Sequence, residues 1–141
     1  MITQFSTILL LILFINGSAQ TSKIILQIEN VNVKKGGDVS TGIFIEKNFL
    51  KIGKQTYSKA EAATTSTIEV VYENIPAGDY AFVAFQDYDK NNELKTNFIG
   101  YPKEPVGFSN NAKIVFGPPS FSDAKVKVDA GKIVRVKIKL K

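Results

Sequence analysis

From Val134 to Lys141 the chain alternates without a break: Val134, Val136, Ile138 and Leu140 are apolar, and Arg135, Lys137, Lys139 and Lys141 are cationic. A period of two places the apolar set on one face of a β-strand and the cations on the other. Such a strand is buried on one side only, so it demands a sheet and a second layer to cover that sheet.

The remaining chain supplies the other strands. Residues 23–33 carry Ile24, Leu26 and Ile28 on one face against Gln27 and Glu29, and residues 39–46 set Ile43 and Ile45 against Phe44. The polar turn Lys34, Lys35, Gly36, Gly37 between them predicts a hairpin. Residues 68–72 read as a strand, and Pro76 and Gly78 punctuate the turn that follows it. Residues 80–86 (YAFVAFQ) are apolar on both faces, which predicts a central strand between two layers. Residues 124–128 and 133–140 predict a last hairpin, turned at Asp129, Ala130 and Gly131. Residues 47–67 are the least patterned, and 59–63 (KAEAA) read as one turn of helix. The expectation is an all-β fold, an antiparallel β-sandwich of about seven strands.

At 141 residues the chain has room for one such domain. It contains no Cys and no His. Disulfides, thiol chemistry and thiolate metal sites are thereby excluded, together with the commonest general base. The net charge of +5 is carried by residues 123–141, where seven basic side chains meet two acids. The basic face of the last strand could bind phosphate-rich polymers, anionic glycans or a membrane surface. Lys on an edge strand is also a common defence against strand addition, and with no aromatic interleaving among the charges a nucleic-acid platform is not indicated.

Residues 1–19 hold no charged side chain, an apolar run from Ile8 to Ile15, and then Gly17, Ser18 and Ala19. They read as a signal peptide cleaved after Ala19, leaving 20–141 as the mature domain, exported to the periplasm, the cell surface or the medium. The apolar stretch is too short to span a bilayer, which takes about 20 residues, and no transmembrane segment is expected in the mature chain.

One segment breaks the regular pattern. Residues 87–121 hold four of the five prolines and open with Asp87, Asp89 and Asn91. A long polar connection within a β scaffold is where a function would sit. The Asp-x-Asp-x-Asn spacing offers side-chain oxygens at positions 1, 3 and 5 of a calcium loop, with the Glu93 carbonyl as a further donor. Against it, Asn92, Lys95 and Phe98 stand where such a loop has glycine, a further oxygen donor and the closing glutamate. The alternative is an Asx-rich turn that hydrogen-bonds its own backbone. Further along, Phe98, Tyr101 and Phe108, with Ser109, Asn110 and Asn111 as hydrogen-bonding groups, are candidates for a contact surface that takes a sugar or a peptide. Loop aromatics also serve as satellite core.

The run Ile75–Ala81 (IPAGDYA), residues 85–94, NFIGYPK at 97–103, GFSNN at 107–111 and GPPSFSDA at 117–124 together resemble the exported bacterial family catalogued as domain of unknown function 2141. The resemblance implies a sandwich of the transthyretin-like or carboxypeptidase-regulatory type. It also implies a first loop of the form Asp-x-Asp-x-Asn-x-x-x-Leu-Asp, in which Lys95 here replaces the last Asp. The expected function is a non-catalytic binding or interaction module with an envelope or extracellular partner, protein or glycan. The alternatives are a structural accessory protein, a weak calcium-binding module, and, more distantly, a carboxylate hydrolase built on groups such as Asp87 and Asp123.

Overall fold

The computed structural model of the protein describes residues 17–97 and 100–141. The leader read at 1–19 falls almost wholly outside the described residues, and so does Phe98. Among the described residues eight strands make two sheets. In the first, β1 (Ser22–Glu29) lies between β4 (Thr67–Ile75) and β8 (Ile133–Lys139). In the second, β2 (Asp38–Phe44) lies between β3 (Tyr57–Ala62) and β5 (Gly78–Asp87). The free side of β5 is shared by two short strands: β7 (Lys125–Val128) pairs with Gly78–Ala81, and β6 (Val106–Phe108) with Val83–Phe85. No helix among the described residues is long and apolar enough to cross a membrane.

The sandwich interior takes one face from each sheet. Ile24, Leu26 and Ile28 of β1 and Val136 and Ile138 of β8 meet Val39 and Ile43 of β2 and Phe82 and Ala84 of β5. At about 25 cal/mol per Å² of apolar surface removed from water, burial of this kind is the main stabilising term in a chain without disulfides. β5 is buried on both faces, as its sequence predicts. Its other face, with Ala81, Val83 and Phe85, belongs to a second cluster with Phe44, Phe49, Leu94, Phe108 and Phe121. That second layer is the irregular chain itself: residues 45–50 and the long connection fold over the outside of the sheet. Phe49 links the two segments through edge-on contacts with Phe44 at 6.0 Å and Phe121 at 5.7 Å.

Two pairings and one element differ from the expectation. β1 and β2 are not a hairpin; they belong to opposite sheets, and the corner between them is clamped by the buried Gln86. Its Oε1 accepts the N–H of Asn32 at 2.9 Å, and its Nε2 donates to the carbonyls of Asn32 at 2.8 Å and Gly36 at 2.7 Å. β7 and β8 likewise separate, and β8 runs parallel to β1, with Leu26 beside Val136, in an otherwise antiparallel fold. The turn between them is pinned by Ser22, whose hydroxyl donates to the Asp129 carbonyl at 2.6 Å and accepts the Lys132 N–H at 3.2 Å. Residues 59–63 are not helical: they belong largely to edge strand β3, where pairing with β2 overrides the helix preference of Ala and Glu.

Candidate functional site

The long connection leaves β5 at Asp87 and first forms a closed polar turn. Asp87 is fully buried, and its two carboxylate oxygens accept the N–H groups of Asn91 at 3.2 Å and Asn92 at 2.7 Å. Asn91 Oδ1 accepts the N–H of Glu93 at 2.9 Å. These are the Asx bonds that let Lys90 and Asn92 take left-handed backbone angles, φ 55° and 62°. The chain then doubles back through a bridge between Thr96 and Pro102, and the Lys103 N–H meets the Lys95 carbonyl at 2.7 Å.

The turn is closed from the far side by Glu104. It is buried, and its carboxylate accepts the N–H of Tyr88 at 3.0 Å and of Lys95 at 3.2 Å. The sequence pattern gives it no such role. Its place follows from the β5/β6 register: Phe85 pairs with Val106, so the same register carried two residues further sets Asp87 opposite Glu104. Knowing that pairing would have revealed it.

Among the described residues, Asp87, Asp89 and Glu104 bring carboxylate oxygens within 4.8 Å of one another. An all-oxygen set is the kind a hard cation needs. The shell, however, is already engaged. Asp87 and Glu104 hold backbone N–H groups, Asn91 is turned onto Glu93, and the Lys95 ammonium pairs directly with Asp89. This ion pair holds the Asp89 carboxyl below its usual range and raises Lys95 above its own. With a tethered ammonium on the most accessible carboxylate, the residues present fit a self-neutralised turn better than a divalent-ion cage. Asp123 is committed too: it forms a capping box with Ser120, whose hydroxyl and N–H lower its pKa.

Beyond Glu104 the connection encloses a groove of about 220 Å³. Its lining includes Tyr101, Phe108, Asn111, Lys113, Ile114 and Lys139. Phe108 is almost wholly buried there, while Tyr101 is 56 % exposed. Gly107 belongs to the same wall because the chain passes close to β8: a Cβ there would lie 2.7 Å from the Lys139 carbonyl oxygen. Of the candidate contact residues, Tyr101, Phe108 and Asn111 line this groove.

Ser109 and Asn110 are not part of that lining. Ser109 directly follows β6 and sits opposite Phe82, in the gap along β5 between its pairing with β7 (Gly78–Ala81) and with β6 (Val83–Phe85). Its hydroxyl accepts the Phe82 N–H at 3.0 Å and donates to the Ala124 carbonyl, and the residue is fully buried. Asn110, held at φ 58°, donates its amide to the carbonyls of Asp123 at 3.1 Å and Lys125 at 2.9 Å. Both residues seal the seam between the half-strands. Asn111 has a foot in each role, since its Oδ1 accepts the Lys139 N–H at 3.3 Å while it lines the groove.

Sequence reasoning missed Lys113, Ile114, Lys139 and Lys141 as groove residues. Lys139 and Lys141 were visible as the cationic face of the last strand. What hid their role was the crossing of β8 past Val106, whose N–H and carbonyl each bond to Lys141 at 3.1 Å. No carboxylate among the described residues forms an ion pair with Lys113, Lys139 or Lys141.

No curated protein and no solved structure matches the chain. The family model described as uncharacterized protein conserved in bacteria, domain of unknown function 2141, matches residues 26–136, from within β1 to the middle of β8, and the chain belongs to that family.

Proposed function

We propose that this protein is a non-catalytic binding or interaction module, exported from the cytoplasm, whose contact surface is the groove face of the long connection. The observation that carries this reading is the convergence of Tyr101, Phe108 and Asn111 around one concavity with lysines that form no ion pair among the described residues, on a wall braced by β6 and β8. A rigid wall with an exposed tyrosine and a few polar groups is how a sandwich presents a sugar or peptide subsite. Export is supported by the uncharged apolar leader at 1–19. The absence of catalysis is supported by the commitment of Asp87, Glu104 and Asp123 to backbone N–H groups.

The test is a glycan and peptide array probed with the mature chain and with Tyr101→Ala. Binding that falls at least tenfold in the variant, with its melting temperature unchanged, is the expected result. A folded wild type that binds nothing on the array removes this reading and leaves a structural accessory role in the envelope.

A second reading draws on the convergence of Asp87, Asp89 and Glu104, in which the turn takes up calcium at the expense of the Lys95 ion pair. Binding to the folded state alone must raise the melting temperature. An unchanged value in millimolar calcium ends it.

A further inference from the structure

The connection carries apolar surface that the fold leaves uncovered. The Val115 N–H donates to the Gly117 carbonyl at 3.1 Å, and in this tight turn the apex residue, Phe116, takes a left-handed backbone at φ 56°. Bulky L residues seldom adopt that conformation. The turn holds the phenyl ring outward, fully exposed at 110 %, with Val115 at 63 % beside it. The same connection buries Phe108 and packs the half-buried Phe121 against the sheet. Val115 also lines the groove, and so shares a face with Tyr101, Lys113, Lys139 and Lys141. On β8, Arg135 is neutralised by Glu69 at 3.4 Å, whereas Lys139, opposite Glu29 of β1 in register, and Lys141 beyond the strand's end form no ion pair among the described residues.

An exposed apolar tip backed by unpaired ammonium groups is complementary to a surface that is apolar within and anionic at its boundary. An acidic polypeptide would satisfy the lysines, yet it would need a socket for an outward-turned ring. A bilayer needs none, since an exposed phenyl ring can enter the boundary between headgroups and acyl chains. We propose that this face docks on an anionic lipid bilayer, with Phe116 and Val115 entering the interface and Lys113, Lys139 and Lys141 against the lipid phosphates. The proposal rests on the groove reading in using the same face, but it depends on Phe116, whereas that reading depends on Tyr101.

The test is co-sedimentation of the mature chain with vesicles of mixed phosphatidylglycerol and phosphatidylcholine, against vesicles of phosphatidylcholine alone. Binding is expected to the anionic vesicles only and to weaken with salt. It should fall about tenfold in Phe116→Ala and about fivefold in Lys139→Ala. Both side chains are exposed, so melting temperatures should stay within about a degree of wild type, which separates a lost contact from a lost fold. Equal binding to both vesicle types, or wild-type binding by Phe116→Ala, overturns the proposal. So does tight binding to soluble polyglutamate that Phe116→Ala leaves intact, which would assign the face to an acidic polypeptide. A Phe116-dependent dimer with no vesicle binding would assign it to a second copy. An array signal lost in Tyr101→Ala but kept in Phe116→Ala leaves the groove reading standing whatever the vesicles show.

Discussion

Glu104 accepts the backbone N–H of Lys95 at 3.2 Å and thereby ties the outgoing and returning limbs of the first turn together. Its second oxygen holds Tyr88, the residue after the end of β5, so one buried side chain fixes both limbs. Glu104→Gln keeps one acceptor and sets an NH₂ group against the other N–H. A buried donor left without a partner costs about 1–3 kcal/mol. The expected outcome is a melting temperature several degrees lower, with faster amide exchange confined to Tyr88, Lys95 and their neighbours. Uniformly faster exchange would place the role of Glu104 elsewhere.

Lys95 supplies the positive charge of the acidic cluster from within the chain. Its partner Asp89 titrates below its usual range because of that ammonium, so the pair stabilises the fold above the ordinary aspartate pKa, near 3.8, and loses its effect as the pH falls through the lowered value. Lys95→Ala should therefore narrow the difference from wild type as the solution is acidified below about pH 4. At neutral pH the variant leaves Asp87, Asp89 and Glu104 without the tethered cation. Millimolar calcium should then raise its melting temperature more than that of wild type. An equal response in both proteins would show that Lys95 does not compete for the cation position.

What the sequence discloses is the strand and its buried face; what it hides is the partner. Alternation set Val134 to Leu140 inward and marked residues 80–86 as buried on both sides, because side-chain direction is a property of a single strand. Pairing depends on contacts far apart in the chain. Gln86 turns the corner after β1 through bonds spanning 54 residues to Asn32, and Ser22 pins a turn 107 residues away at Asp129. Neither residue carries any local mark of that task. The candidate site divides in the same way. Tyr101 and Phe108 were legible as loop aromatics, whereas Glu104 and Lys139 enter only through the β5/β6 register and the passage of β8 behind Gly107.

Tyr72 gives the fold an alkaline limit. Its ring is buried between the sheets, its hydroxyl lies 2.8 Å from that of Thr41, and burial pushes its pKa up to about 12. An unfolded tyrosine ionises near 10, so the folded state holds the proton more tightly. The stabilisation is complete below pH 10 and is lost as the pH rises toward 12, by roughly 2–3 kcal/mol over that interval. Tyr72→Phe should be less stable at pH 8 by about 1 kcal/mol, the worth of the lost hydrogen bond, and should lose less further stability between pH 10 and 12. Parallel alkaline transitions in the two proteins would assign the limit to another group.

Ser109 separates a sealing role from a contact role. It fills the gap where β6 and β7 meet along β5, and the Phe82 N–H has its hydroxyl as acceptor. Ser109→Ala removes that acceptor inside the sheet and should cost about 1–3 kcal/mol, read as a lower denaturant midpoint with an unchanged slope. Because the hydroxyl points away from the groove, the folded fraction of the variant should bind any array ligand as wild type does. Tyr101→Ala should give the reverse, an unchanged midpoint and lost binding, since its side chain is exposed at the groove rim. If Ser109→Ala instead lost binding at an unchanged midpoint, the hydroxyl would belong to the ligand, and the seam between the half-strands would have to be held by Asn110 alone through its bonds to Asp123 and Lys125.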